Sequence, residues 1–191
     1  MGSIDDRQKV SKDIAAPFRF LSRRRFLKLG VSFVGIAAGS VGGLLALRGQ
    51  APTVSGLSIL TAHEYRTLQG IARAHLPRGG AFEMGAGDFD LARSFDRFLL
   101  GETAENVRGL KLALALVEYG PLIYERRLKT FSNLSESGRE RHWESWVYSG
   151  AIVRRQVAAA FRKFLSMTFY DNEAVWKEIG YGGPAFKGPV S

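Results

Sequence analysis

Leu60-Thr61-Ala62-His63-Glu64-Tyr65-Arg66-Thr67-Leu68 is the stretch whose reading decides the fold. Thr61 has Glu64 three residues on, the spacing at which a cap hydroxyl and a first-turn carboxylate satisfy each other's backbone N–H groups. Leu60 and Tyr65 stand where a hydrophobic staple needs them, and Tyr65, Leu68, Ile71, Ala72 and Leu76 recur at helical spacing. Pro77 and Gly79 then stop the helix.

The same grammar repeats downstream. Arg78 to Gly87 carries four glycines and no periodicity, which makes it a loop. Asp88 is the expected cap of a second helix with Leu91, Ala92, Phe95, Phe98 and Leu99 on one face, closed by Gly101. A third helix begins near Thr103. Leu110, Leu112, Leu114, Leu116 and Val117 make it apolar on nearly all sides, so it is expected to be the central one, bent or broken where Gly120 precedes Pro121. A fourth, capped by Ser135 or Ser137, turns Trp143, Trp146 and Val147 inward. The fifth, from about Ala151 to Phe169, presents Val153, Val157, Phe161, Phe164, Leu165 and Thr168 at regular spacing, and a short sixth runs from about Glu173 to Ile179 and ends at Gly180. No strand-like alternation of useful length occurs. The expected fold is therefore all-α, a compact orthogonal bundle of about five to six helices over residues 59–180, with an extended Gly/Pro-containing arm at 181–191.

Upstream of a linker at 51–58, residues 1–50 have a different character. Ser22-Arg23-Arg24-Arg25-Phe26-Leu27-Lys28 resembles the twin-arginine export signal at every position, with Ser22, Arg23, Arg24, Phe26, Leu27 and Lys28 as its signature. Leu29 to Leu47 follows with nineteen uncharged residues, five of them Gly and three Ala. As a helix it would span about 28 Å at about 1.5 Å per residue, just enough to cross a bilayer. Two readings of this run compete: a signal removed after transport, or an anchor retained at 29–47. Arg48 spoils the small-residue cleavage pattern at Ala46-Leu47-Arg48, and Gly49-Gln50-Ala51-Pro52 replaces it only loosely. Gly35, Gly39 and Gly43 fall on one helical face at the spacing that lets membrane helices pack closely, although such signals are glycine-rich in general.

The net charge of +9 raises the question of a nucleic-acid partner. Its distribution argues against one. Residues 1–28 hold eight basic side chains against three acidic, whereas residues 51–191 hold eighteen against fifteen. The excess belongs mainly to the flank of the signal, where positive charge sets orientation. With no cysteine in the chain, disulfides, thiolate nucleophiles, iron-sulfur clusters and thioether-bound haem are excluded.

Enzyme motifs fail on named residues. His63-Glu64-Tyr65-Arg66-Thr67 begins like the zinc-protease H-E-x-x-H but ends in Thr67, and Gly85-Ala86-Gly87-Asp88-Phe89-Asp90 begins like a dinucleotide fingerprint but ends in Asp90 and follows a loop. His63, His75 and His142 are scattered singly. His75 sits on the apolar side of its helix as a structural, hydrogen-bonded histidine is expected to, and His63 and His142 are expected at surface or interface positions. No catalytic, cofactor-binding or metal-binding residue is expected in this chain. What stands out is binding: Trp143, Trp146, Tyr148, Phe169, Tyr170, Trp176 and Tyr181 make the last third aromatic, as interface cores are. The expected partner interface is Trp143, Trp146, Tyr170, Trp176, Tyr181, Gly182, Gly183 and Pro184.

From Leu60 to Pro184 the chain resembles the gluconate 2-dehydrogenase subunit 3 family. The landmarks are Leu60-Thr61 with Leu76-Pro77, the loop Gly79-Gly80-Ala81-Phe82, Ser149 with Arg154-Arg155, and Phe169-Tyr170-Asp171 leading through Trp176 to Ile179-Gly180-Tyr181-Gly182-Gly183-Pro184. The resemblance implies a job rather than a reaction. Such small subunits accompany a large FAD-containing oxidoreductase subunit of the glucose-methanol-choline type, which often lacks an export signal of its own. FAD would reside in that partner, and haem c in a cytochrome c subunit that often takes the electrons. The twin-arginine translocase would carry the folded pair to the periplasm or to the outer face of the cytoplasmic membrane. Two other function classes stay open on the sequence: a membrane-anchored helical adaptor of another complex, and a stand-alone periplasmic enzyme using His75 or His142.

Overall fold

The computed structural model describes residues 49, 51, 53–80 and 83–183. The expected export signature Ser22, Arg23, Arg24, Phe26, Leu27 and Lys28, the apolar run 29–47, Ala81-Phe82 and the arm from Pro184 onward lie outside the described residues. The described residues form seven α-helices and two 3-10 turns, and no strand occurs among them. The helices are α1 Ala62–His75, α2 Leu91–Leu99, α3 Ala104–Glu118, α4 Gly120–Glu125, α5 Glu136–Val147, α6 Ile152–Tyr170 and α7 Glu173–Glu178. The expected count of about five to six falls short by α4, a separate short helix on the far side of the break at Gly120-Pro121. Among the described residues no helix is long and apolar enough to cross a membrane.

Local chemistry sets the boundaries. The capping box at α1 forms as the sequence predicts: the Thr61 hydroxyl accepts from the Glu64 amide at 3.3 Å, and the Glu64 carboxylate accepts from the Thr61 amide at 2.8 Å. Thr103 caps α3 and Ser135 caps α5. At α2 the expected cap is displaced by two residues. Asp90, not Asp88, accepts from the Arg93 amide at 3.0 Å, while Asp88 turns back to the Gly85 amide at 2.9 Å and shapes the preceding 3-10 turn, Ala86–Asp88.

The centre of the bundle also differs from expectation. It is α1, which packs against α2, α3, α5 and α6, with Leu68 and Ile71 fully buried. Helix α3 is apolar on nearly all sides, yet it lies at the edge: Leu110, Ala113, Leu114 and Val117 face inward and Leu112 is exposed. A run of leucines sets no direction by itself, so the polar groups orient the helix. Glu118 is the decisive one. Its buried carboxylate accepts from the Thr67 hydroxyl of α1 at 2.8 Å, and from the Ser132 amide and hydroxyl at 3.1 and 2.7 Å.

A second buried carboxylate closes the other side. Asp96 of α2 is 1% exposed and accepts from three successive amides, those of Ser58, Ile59 and Leu60, at 2.7, 2.9 and 2.6 Å. Arg93, one turn earlier, donates to the Ser55 and Gly56 carbonyls. The end of the expected linker 51–58 is thus clamped to α2. Burial works against ionisation of Asp96, but the three amide bonds outweigh it, and the carboxyl is held below the usual aspartate range.

Because the folded-state pKa is depressed, the Asp96 contribution is fully present above the unfolded value near 3.9 and disappears as pH falls through the lower folded value. Asp96→Ala, which strands three amides, is expected to cost roughly 3 kcal/mol at pH 7. The difference from wild type should shrink in strong acid, as read by urea unfolding at pH 7 and pH 3.

Candidate partner interface

The C-terminal end of the bundle is built on Val175, which is fully buried and pins α7 to the core. Asn172 caps α7 by accepting from the Ala174 amide at 3.0 Å. Gly180 then adopts a left-handed conformation, φ 69°, at the position where helices commonly end in glycine. The chain folds back there: the Tyr181 amide donates to the Trp176 carbonyl at 2.8 Å, and the Tyr181 ring meets the Trp176 indole edge-on at 5.6 Å. The Trp176 indole N–H donates to the Tyr170 carbonyl at 2.6 Å, which joins α7 to the last turn of α6. Gly183, at φ 91°, lies over the indole.

The result is an aromatic shelf, with Trp176 half-buried beneath and Tyr170, Ile179 and Tyr181 each more than 40% exposed. Met167, one turn before Tyr170 on α6, extends it with similar exposure. The glycine loop reaches the same place, because the Glu83 amide donates to the Glu178 carboxylate at 3.3 Å. Of the expected interface residues, Tyr170, Trp176, Tyr181, Gly182 and Gly183 therefore gather here, and Pro184 lies outside the described residues. Trp143 and Trp146 do not. They are 2% and 0% exposed and belong to the core of the bundle, where α5 packs on α1 and α6. Their helical spacing fits core packing and interface equally well, and the bundle uses it for packing.

His142, expected near the surface, is also buried. Its Nδ1 pairs with the Glu125 carboxylate of α4, and its Nε2 lies 2.9 Å from the Trp146 indole nitrogen. The indole can only donate, so Nε2 accepts and the proton resides on Nδ1. Both ring nitrogens are consumed in holding α4 to α5. A Cβ at Gly120 would approach Nε2 to 2.5 Å, so this close approach of α4 requires glycine. Burial drives the His142 pKa down, against the opposing pull of Glu125.

His75 is bonded to the Ser166 hydroxyl of α6 at 3.0 Å, in the structural role expected of it. Burial, with Arg162 nearby, lowers its pKa to about 4. Among the described residues no group of three His, Asp or Glu is arranged to hold a metal ion. A shallow cleft of about 230 Å3 lies along Gln69, Arg73, Asp88 and Asp90. Its carboxylates are already engaged, Asp88 by Arg78 at 3.3 Å and Asp90 by Arg93 at 3.1 Å and the Tyr65 hydroxyl at 2.9 Å.

A histidine kept neutral by burial stabilises the fold fully above its unfolded value near 6.5, and that stabilisation is lost as pH falls toward the folded value. Urea midpoints measured from pH 7 to pH 4 should fall, with His142 acting in the same direction as His75. In His75→Gln the decline should be shallower by up to one proton per molecule.

Comparisons of the chain with protein-family models, with curated proteins and with solved structures found no match in any of the three.

Proposed function

We propose that this chain is the non-catalytic small subunit of an FAD-dependent sugar or alcohol dehydrogenase complex, resembling the gluconate 2-dehydrogenase subunit 3 family. In this reading it carries the twin-arginine signal for a large flavoprotein of the glucose-methanol-choline type and supports that partner's export, maturation and stability. The flavoprotein folds around FAD in the cytoplasm and crosses the membrane as folded cargo. The pair then works in the periplasm or on the outer face of the cytoplasmic membrane, with a cytochrome c subunit as electron acceptor.

The observation that carries this reading is the aromatic shelf of Tyr170, Trp176 and Tyr181, set at the end of α6 and around α7. Exposed aromatics held by edge-on ring contacts, over an indole that is itself hydrogen-bonded, lose little entropy on binding, which suits them to anchor a partner. The motif from Ser22 to Lys28 and the landmarks from Leu60 to Gly183 support it further. So does the employment of His142 within the core, since an imidazole with both nitrogens occupied serves packing.

Co-expression with the flavoprotein tests the escort role. Replacing Arg23, Arg24 and Arg25 together by Lys is expected to leave the partner in the cytoplasm, and full export of the partner in that variant would refute the proposal. The shelf is tested separately. Ile179→Ser with Tyr181→Ala is expected to weaken co-purification of the flavoprotein at least tenfold, the equivalent of about 1.4 kcal/mol. Both side chains are nearly half exposed and lie outside the core, so the melting temperature of the isolated chain should stay within a few degrees of wild type.

A further inference from the structure

We propose that a second surface, the corner where the C-terminal ends of α4 and α5 meet the N-terminal end of α6, is a contact site for an anionic lipid bilayer. The corner is one assembled unit. The Arg154 guanidinium of α6 lies 4.6 Å from the centre of the Tyr124 ring of α4 and 5.2 Å from that of Trp146 of α5, and it donates to the Ser145 hydroxyl at 2.6 Å. Arg155 donates to the Ser149 and Gly150 carbonyls in the α5–α6 turn. Arg126 closes α4 in a left-handed conformation, φ 53°, which turns the chain sharply before Leu128.

Apolar tips project from this frame. Leu128 is 81% exposed, Tyr148 80% and Ile152 56%, and Ile123 and Tyr124 are partly exposed beside them. Leu128 and Tyr148 are the two most exposed large hydrophobic side chains among the described residues; Leu128 stands between Arg127 and Lys129, and Tyr148 sits in the α5–α6 turn whose Ser149 and Gly150 carbonyls accept from Arg155. The clefts around Arg73 and Asp88 lie elsewhere on the surface.

The charge on the corner names the occupant. Residues 120–130 and 144–155 hold Arg126, Arg127, Lys129, Arg154 and Arg155 against Glu125 and Glu144, and the remainder of residues 51–191 holds thirteen basic and thirteen acidic side chains. Glu125 is already engaged by Arg127 at 3.1 Å and by His142. The entire excess positive charge of that region is therefore concentrated around the exposed tips. Basic side chains drawn to anionic headgroups, with apolar and aromatic tips entering the boundary below, are the two forces of interfacial membrane binding. This assignment goes beyond the proposed function and is independent of any flavoprotein.

The chain has no cysteine, so Leu128→Cys offers a unique attachment point for an environment-sensitive fluorophore on the full-length protein. With vesicles of phosphatidylglycerol and phosphatidylcholine in 0.1 M salt, the label is expected to shift to the blue. The shift should vanish on pure phosphatidylcholine, and in 1 M salt, where the screening length falls from about 10 Å to about 3 Å. It should also vanish when Arg126→Glu and Lys129→Glu are added. A label at Leu112→Cys on the exposed face of α3 should stay unshifted, which separates contact at the corner from attachment through residues 29–47. An unshifted Leu128 label, equal shifts at both positions, or a shift that survives charge reversal would overturn the proposal. A concentration-dependent shift without lipid would assign the corner to a second copy of the chain, and a shift with polyglutamate but not with vesicles to an acidic protein; either result also overturns it.

Discussion

The carboxylate of Glu118 is the constraint on which the bundle depends. Burying an ionisable group among leucines is costly unless every lone pair it exposes finds a donor. Thr67 of α1 and both polar groups of Ser132 supply those donors, so α3, α1 and the turn at Phe131–Asn133 have one relative placement that leaves nothing unsatisfied. Apolar packing alone would tolerate rotation of α3, whose leucines point almost all round. The polar lock removes that freedom. Asp96 does the same for the chain entering the bundle, and His142 with Glu125 does it for α4, so three polar locks set the orientation of a core that hydrophobic burial holds together.

These locks are also what the sequence conceals. Capping signals at Thr61, Thr103 and Ser135 are legible because a cap acts within four residues of itself, and the helical periods of α1, α2, α5 and α6 are legible because each repeats several times. Glu118 and Asp96 interact with donors 51 and 36 residues away in the chain, and nothing nearby marks them out from solvent-facing carboxylates. Asp96 left one faint trace, a charge beside Phe95 and Leu99 on an apolar face. The break at Gly120-Pro121 was legible, but the reason for that glycine lay in His142, which the pattern placed at the surface.

The same limit explains the candidate interface. Aromatic residues serve cores and interfaces by the same physics, and helical spacing cannot tell which. Trp143 and Trp146 lie on the inward stripe of α5, between α1 and α6, whereas Tyr170, Trp176 and Tyr181 cluster around the end of α6, the short α7 and a left-handed glycine, where fewer elements pack over them. What separates the two groups is the number of elements packed around each: α5 is sandwiched by α1 and α6, whereas α7 packs chiefly on α6.

The clamp at Asp96 has a mechanical consequence. Ser58, Ile59 and Leu60 are the last residues before α1, so tension applied anywhere upstream reaches the bundle through their three amides and the Arg93 contacts to Ser55 and Gly56. Those bonds join the entering chain to α2, and α2 leads on through Phe95 and its ring contacts to Phe161 and Phe164 of α6. A pull on the N-terminal segment is thereby borne by a lateral brace before the first turn of α1 can be peeled open.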